Sequence, residues 1–243
     1  MSRVRVSIVP YLNALPFLRG IERSDIMKEI DLRIEEPAVG AASLLAGKAD
    51  IALAPVALIP RLDTYEIVSK HCIACEGAVG SVGVCSNRPL EDVRRIYLDK
   101  NSMTSNALLQ LLLHEFWNMT PTLKPGRRGR PILGPKEAAL LIGTRALKYK
   151  SSFRYFYDLG EAWYEHTRLP FVFAVWLSIA TQDAQFVKRF DRVLREGVTA
   201  LPTIVETEKA SGADLPAYLG KHIHYHLDAH KKKGMELFLS KVT

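Results

Sequence analysis

The chain opens on an alternating run, Val4-Arg5-Val6-Ser7-Ile8-Val9, the period-two pattern of a strand. Pro10 to Phe17 (PYLNALPF) follows, and Leu18 to Ile21 continue with helical spacing. Proline is tolerated in a helix only in the first turn, where its missing N–H had no partner to lose, so Pro16 places Asn13 at or near the helix N-cap. Asp31 to Glu35 reads as a strand, Val39 to Ala46 as a short helix closing at Gly47, and Ala49 to Pro55 as a buried strand. Strand, helix, strand, helix, strand within 55 residues is the rhythm of a parallel sheet with right-handed crossovers.

Tyr65 to Ala74 and Gly80 to Cys85 are rich in β-formers. A second α/β rhythm begins at Ile96-Tyr97-Leu98, and Ser102 to Asn106 lead into a helix carrying Leu108, Leu109, Leu111, Leu112 and Phe116. Thr120 to Leu133, rich in Pro, Gly and Arg, reads as the least structured stretch. Glu137 to Gly143 is a buried strand, Thr144 to Tyr149 a short helix, Tyr155 to Leu159 a strand and Gly160 to Thr167 a helix. Phe171 to Leu177 is the strongest β run, and from Asp183 a helical face of Phe186, Val187, Phe190, Val193, Leu194 and Val198 runs toward Pro202, which interrupts or ends it. Asp214 to Tyr218 and Asp228 to Leu239 read as closing helices.

This pattern predicts an α/β protein of two lobes, each a mostly parallel sheet flanked by helices, with a cleft between them. The expected division is 1–88 with 176–243 as the first lobe and 89–175 as the second, the strands near Ser81–Ser86 and Phe171–Trp176 being the crossings. A cleft bridged by two crossings is a default small-molecule site, and closing it excludes water.

Composition narrows the function classes. The 243 residues are 48% hydrophobic, enough to bury a sizeable core, yet no run of about 18 apolar residues predicts a membrane span. The chain enters its first strand without a basic-then-apolar leader, so a cytoplasmic location is expected. A formal charge of +7 favours anionic partners, part of it concentrated at Arg127-Arg128-Gly129-Arg130 and Lys231-Lys232-Lys233. Neither run has interleaved aromatics or a nucleic-acid motif, so a small acidic ligand explains the balance as well as a polyanion does. The oligomeric state is not readable from the pattern.

Cys72-Ile73-Ala74-Cys75 has a C-x-x-C spacing, but no second pair follows, and nothing brings the alternating His222, His224 and His226 to it; no metal site and no cofactor are expected. Asn13, Ser81, Ser102, Thr104 and Ser105 fall at strand ends facing the cleft, where ligands bind in open α/β sheets. All are uncharged donors. Ser102, Thr104 and Ser105 open a helix, whose free N–H groups and dipole suit a carboxylate. Each also has a purely structural reading: Asn13 and Ser102 as helix caps, Ser81 as a turn residue beside Gly80. Lone histidines such as His114 and His166 read as structural or exposed. No nucleophile elbow, Walker loop or dinucleotide fingerprint is present.

Six stretches in order resemble one known family: YLNALPF at 11–17, KADIALAPV at 48–56, GAVGSVGVCS at 77–86, DKNSMTSNALLQLLL at 99–113, EAALLIGTRAL at 137–147 and DLGEAWYEHTRLPFVFAVW at 158–176. The family is that of the chorismate dehydratases of the futalosine route to menaquinone. The last stretch, with Trp163, Leu169, Pro170, Phe171 and Phe173, is its most specific signature. The resemblance implies a type II periplasmic-binding-protein-like fold and a cofactor-free lyase acting on a small dianionic substrate, chorismate. The implied reaction removes water to give 3-[(1-carboxyvinyl)oxy]benzoate, the substrate's own enolpyruvyl carboxylate taking the ring C3 proton.

On that resemblance Asn13 and Ser81 are the catalytic residues, holding the enolpyruvyl carboxylate. Tyr11, Leu12, Ser102, Thr104, Ser105, Gly143 and Phe171 bind substrate, the three hydroxyls facing the ring carboxylate. The cleft could also take the substrate the other way round. One departure stands out, Ile142-Gly143-Thr144 where the family reads I-G-D. The alternatives are a carboxylate-binding or sensor module that transforms nothing, a zinc protein, and the sister 1,4-dihydroxy-6-naphthoate synthase, which lacks the YLN opening.

Overall fold

The structure is a computed structural model, and it describes residues 3–126, 129–208 and 214–242. The elements run β1 (Val4–Ile8), α1 (Leu15–Glu22), β2 (Ile30–Ile34), α2 (Pro37–Leu45), β3 (Ile51–Pro55), β4 (Glu66–Cys75) and β5 (Val82–Ser86). They continue β6 (Arg95–Leu98), α3 (Met103–Glu115), β7 (Thr122–Pro125), β8 (Glu137–Ile142), α4 (Gly143–Tyr149), β9 (Tyr155–Asp158) and α5 (Leu159–Thr167). The last are β10 (Phe171–Ser178), α6 (Ala184–Thr199), α7 (Leu201–Thr207), α8 (Leu215–Ala217), β11 (His224–His226) and α9 (Ala229–Val242).

Two sheets form two lobes, the first ordered β11-β4-β10-β3-β1-β2 and the second β7-β6-β8-β5-β9. The opening rhythm produces parallel pairs, β1 with β2 and with β3. Both sheets are nonetheless mixed rather than mostly parallel, because β10 returns antiparallel between β3 and β4, and β5 lies antiparallel to both β8 and β9. β5 thus belongs to the second sheet and β10 to the first. A division by sheet falls in the connections at 76–81 and 159–170, ahead of the boundaries drawn at 88/89 and 175/176. The stretch expected to be least structured contains β7, a short edge strand parallel to β6.

The outward connection is strongly held. Asp158 caps α5 by accepting from the N–H groups of Gly160 and Glu161, and the same carboxylate accepts from Val79 (3.0 Å) and Gly80 (2.6 Å). Burial raises the Asp158 pKa, and these four N–H groups oppose the rise. Lys150 Nζ donates to the Gly80 carbonyl at 2.8 Å, and His222 Nδ1 lies 2.9 Å from that of Ala78. Elsewhere α1 and α6 touch backbone to backbone. A Cβ on Gly197 would come within 2.0 Å of the Pro16 carbonyl oxygen, so only glycine permits that approach. Among the described residues no helix is long and apolar enough to cross a membrane.

Candidate functional site

Between the lobes lies a cavity lined from both sides. Val9, Tyr11, Asn13, Leu53, Pro55, Ile73, Phe173 and Ala174 come from the first lobe, and Val82, Ser102, Thr104, Ser105, Ile142 and Gly143 from the second, with Pro37 and Val79 completing it. Among the described residues no charged side chain lines it. The cavity is small and suits one small molecule.

Asn13 sits where β1 hands over to α1, but it does not cap the helix. Leu12–Ala14 form a single 3₁₀ turn, Ala14 occupies the cap position of α1, and Pro16 falls in the first turn as expected. The Asn13 amide oxygen is buried with no hydrogen-bond partner. A buried acceptor without a partner costs on the order of 1–3 kcal/mol, a cost relieved when a ligand supplies a donor.

Opposite stands the start of α3. The Ser102 hydroxyl accepts from the Ser105 N–H at 3.2 Å, capping the helix, and donates to Ser105 Oγ at 2.7 Å. The next N–H groups, of Met103 and Thr104, precede the first intrahelical bond, from Asn106 to the Ser102 carbonyl. With the helix dipole behind them they suit an anion. The cap reading and the site reading of Ser102 therefore both hold.

Thr104 behaves differently from expectation. Its hydroxyl donates to the Phe173 carbonyl at 3.1 Å and accepts from the Ala57 N–H at 3.3 Å. It ties α3 to the first lobe and has little left for a ligand. Gly143, at φ +53°, begins α4 against the Tyr11 ring, which a Cβ would meet at 3.4 Å. Its N–H donates to the Ser81 carbonyl at 2.7 Å.

Three expected site residues do not line this cavity. Ser81 is fully buried behind Val79 and Val82, and its Oγ accepts from the Tyr218 hydroxyl at 2.8 Å. Phe171 packs against Trp163, Phe173 and Phe238 in the core. The cavity takes Phe173 and Ala174 instead, because an irregularity in β10 between Val172 and Ala174 breaks the alternation that parity assumes. Leu12 packs on the core from its 3₁₀ turn. Thr144, at the family's aspartate position, is exposed on α4.

Cys72 and Cys75 are buried thiols on β4, and burial pushes both pKa values up, against metal binding or nucleophilic use. Among the described residues no group of three His, Cys, Asp or Glu side chains gathers as a metal site would require. Of the basic loop at 126–130, Arg127 and Arg128 lie outside the described residues.

Residues 4–243 match a family model described as menaquinone biosynthesis. The chain belongs to that family. A relative from Thermus thermophilus named chorismate dehydratase is 28% identical over 80% of each chain. Among solved structures, a structural-genomics protein of Archaeoglobus fulgidus superimposes with a TM-score of 0.76 at 16% identity, covering 98% of this chain and 96% of the other. The alkanesulfonate-binding protein of Xanthomonas axonopodis pv. citri, bound to MOPS, gives a TM-score of 0.66 at 14% identity over 99% and 93%. A Candida albicans protein titled as having the generic periplasmic binding protein fold gives 0.65 at 10% identity over 98% and 90%. The two-lobed, periplasmic-binding-protein-like fold expected from the sequence is therefore the fold of this chain.

Proposed function

We propose that this member of the menaquinone-biosynthesis family is a chorismate dehydratase. The observation that carries the reading is the pairing, across one uncharged cavity, of the unpartnered Asn13 amide with the open N-terminus of α3. The α3 N-terminus offers donors to a carboxylate, and the Asn13 amide oxygen offers an acceptor to a hydroxyl beside its own N–H donors, so the two walls suit a compact hydroxylated carboxylate. The name of the Thermus relative supplies the substrate.

Chorismate loses the hydrogen on ring C3 and the hydroxyl on C4, a double bond forms between those carbons, and the ring becomes aromatic. The C3 hydrogen is acidified through the diene by the ring carboxylate, so its departure leaves a delocalised dienolate. The enolpyruvyl carboxylate, tethered at C3, takes that proton, and the C4 oxygen leaves as water. Among the described residues no histidine, carboxylate or lysine side chain lines the cavity to act as base. The protein's part is to hold both carboxylates, exclude water and favour the more delocalised charge. Asn13 donates to the enolpyruvyl carboxylate through Nδ2 while its Oδ1 accepts from the ring hydroxyl, and the α3 N-terminus with Ser102 and Ser105 receives the ring carboxylate. Ser81 acts indirectly, by holding the wall at Val79 and Val82. A cytoplasmic location accompanies this reading.

Purified protein with chorismate and no cosubstrate is expected to consume the diene and accumulate an aromatic dicarboxylate 18 mass units lighter. Folded protein that leaves chorismate untouched overturns the reading. The likeness to a sulfonate-binding protein favours one rival, a carboxylate-binding module. Recovery of unchanged ligand after long incubation, with saturable binding, selects it.

A further inference from the structure

At the rim of the cavity one carboxylate oxygen joins the two lobes. Glu36 occupies the N-cap position of α2, yet its side chain caps no backbone N–H. Its Oε2 instead accepts from the Tyr11 hydroxyl at 2.9 Å and from Asn101 Nδ2 at 3.2 Å. Tyr11 belongs to the first lobe and lines the cavity, whereas Asn101 belongs to the second and directly precedes the cap of α3. Each side is braced. Asn101 N–H donates to Asp99 Oδ1 at 2.9 Å, and Asp99 Oδ2 pairs with Arg145 at 2.5 Å. Tyr11 rests on Gly143, where a Cβ would crowd its ring.

Glu36, Asp99, Lys100, Asn101 and Arg145 line a polar hollow immediately outside. Tyr11, Glu36 and Asn101 stand between this hollow and the cavity, the two lobes meeting there. We propose that Glu36 and Asn101 form a latch, positioning residues that touch no reacting atom but hold the cleft shut over its ligand and set the geometry of the α3 anion site. This rests on the cavity being the ligand site argued above. Of the other cross-lobe polar contacts, those of Thr104 are buried, and that of Glu115 with Lys241 joins the far end of α3 to α9, away from the cavity lining. The rim contact is far better placed to control opening.

The experiment compares wild type, Asn101→Ala, Glu36→Ala, the double variant and Glu36→Gln, with chorismate as probe. Breaking a hydrogen bond to a carboxylate is expected to raise KM about tenfold while kcat changes less than about threefold. Because one contact is removed either way, the double variant should match Glu36→Ala within about twofold. Glu36→Gln keeps an oxygen that both donors can reach and should restore KM to within about threefold of wild type.

Small-angle scattering of the ligand-free proteins supplies a readout independent of the substrate, with Asn101→Ala expected to have the larger radius of gyration. Wild-type KM in Asn101→Ala overturns the latch, as does a double variant in which the two effects multiply. An inert wild type overturns the dehydratase reading, and the scattering comparison alone then decides the latch, an unchanged radius refuting it.

Discussion

Two polar clusters in this protein carry catalytic-looking residues, and they are opposites. On the first lobe Ser69, His71 and Asp191 meet where α6 lies on β4. Asp191 Oδ1 accepts from Ser69 Oγ (2.6 Å) and from the Lys70 N–H (2.7 Å), and lies 3.1 Å from His71 Nδ1. Ser69 Oγ also accepts from the His71 N–H at 3.0 Å. A hydrolytic triad needs serine donating to one histidine nitrogen and carboxylate accepting from the other. Here serine and histidine both serve the same carboxylate oxygen, so there is no activated nucleophile. In the cleft the residues look inert, an asparagine and a few serines, yet the Asn13 amide oxygen has no partner at all. What marks the cleft is an unfilled polar atom on a residue that lines it, and residue type alone does not.

The widest separation between the clusters is expected from Asn13→Ala. Removing a donor that acts on charge in a water-excluded site should lower turnover of chorismate about 10²–10³-fold. Melting temperature should move little, since the amide oxygen gives up no internal bond. A variant that melts early and turns over normally per folded molecule would place Asn13 among the supports.

Asp191→Ala should do the reverse. It strips three donors of one acceptor in a part-buried setting, and a loss of about 2–4 kcal/mol of stability is expected. Steady-state kinetics of the remaining folded protein should stay within about twofold of wild type. A catalytic defect without a stability defect would make this cluster a second site.

How far these roles were legible in the sequence follows the same division. The strands and helices with strong periodicity stand close to where the pattern puts them, as does Pro16 in the first turn of α1. β7 escaped because four mostly exposed residues at a sheet edge, among Pro, Gly and Arg, carry no hydrophobic signal. Asn13, Ser102 and Ser105 could be gathered from strand-end position, since topology fixes which ends face the cleft, whereas Tyr11 and Gly143 came only with the family resemblance. Ser81 could not. Its hydroxyl is occupied by Tyr218, 137 residues away, and no local pattern encodes so distant a partner. Thr104 is similar, with both of its partners on the other lobe. Glu36 and Asn101 gave no signal because each reads as an ordinary polar side chain in solvent until the lobes meet.

A smaller effect should separate the two functions of Ser102. Losing a serine N-cap costs about 1 kcal/mol, so Ser102→Ala should lower stability by that amount. If the α3 N-terminus also holds the ring carboxylate, KM should rise beyond what the fraction unfolded explains, by roughly fivefold. Ser102→Asp should recover the cap but repel the anion, giving near-normal melting with a still higher KM. Equal KM in all three proteins would leave the cap as the whole role of this residue.

The smallest effect is a difference in pH dependence. Burial lowers the His71 pKa below its ordinary 6.5, with Asp191 opposing the shift. The unfolded chain therefore takes up a proton near pH 6.5 that the folded chain refuses. Stability attributable to His71 is full above that value and is lost as pH falls below it, toward the folded-state pKa, at no more than about 1.4 kcal/mol per pH unit. The depressed Asp191 carboxyl contributes in a separate window, below its ordinary value near 3.8. His224 is shifted in the same direction as His71, so His71→Gln should flatten the melting profile between pH 7 and 5.5 only in part. The cavity lining offers no group that titrates in this range, and the Tyr11 hydroxyl is pushed up, chiefly by burial. Saturated turnover should consequently stay level from pH 6 to 8 while melting temperature slopes. A kcat that follows one ionisation across that interval would show a protein group moving the proton, and the substrate's own carboxylate would lose its role as base.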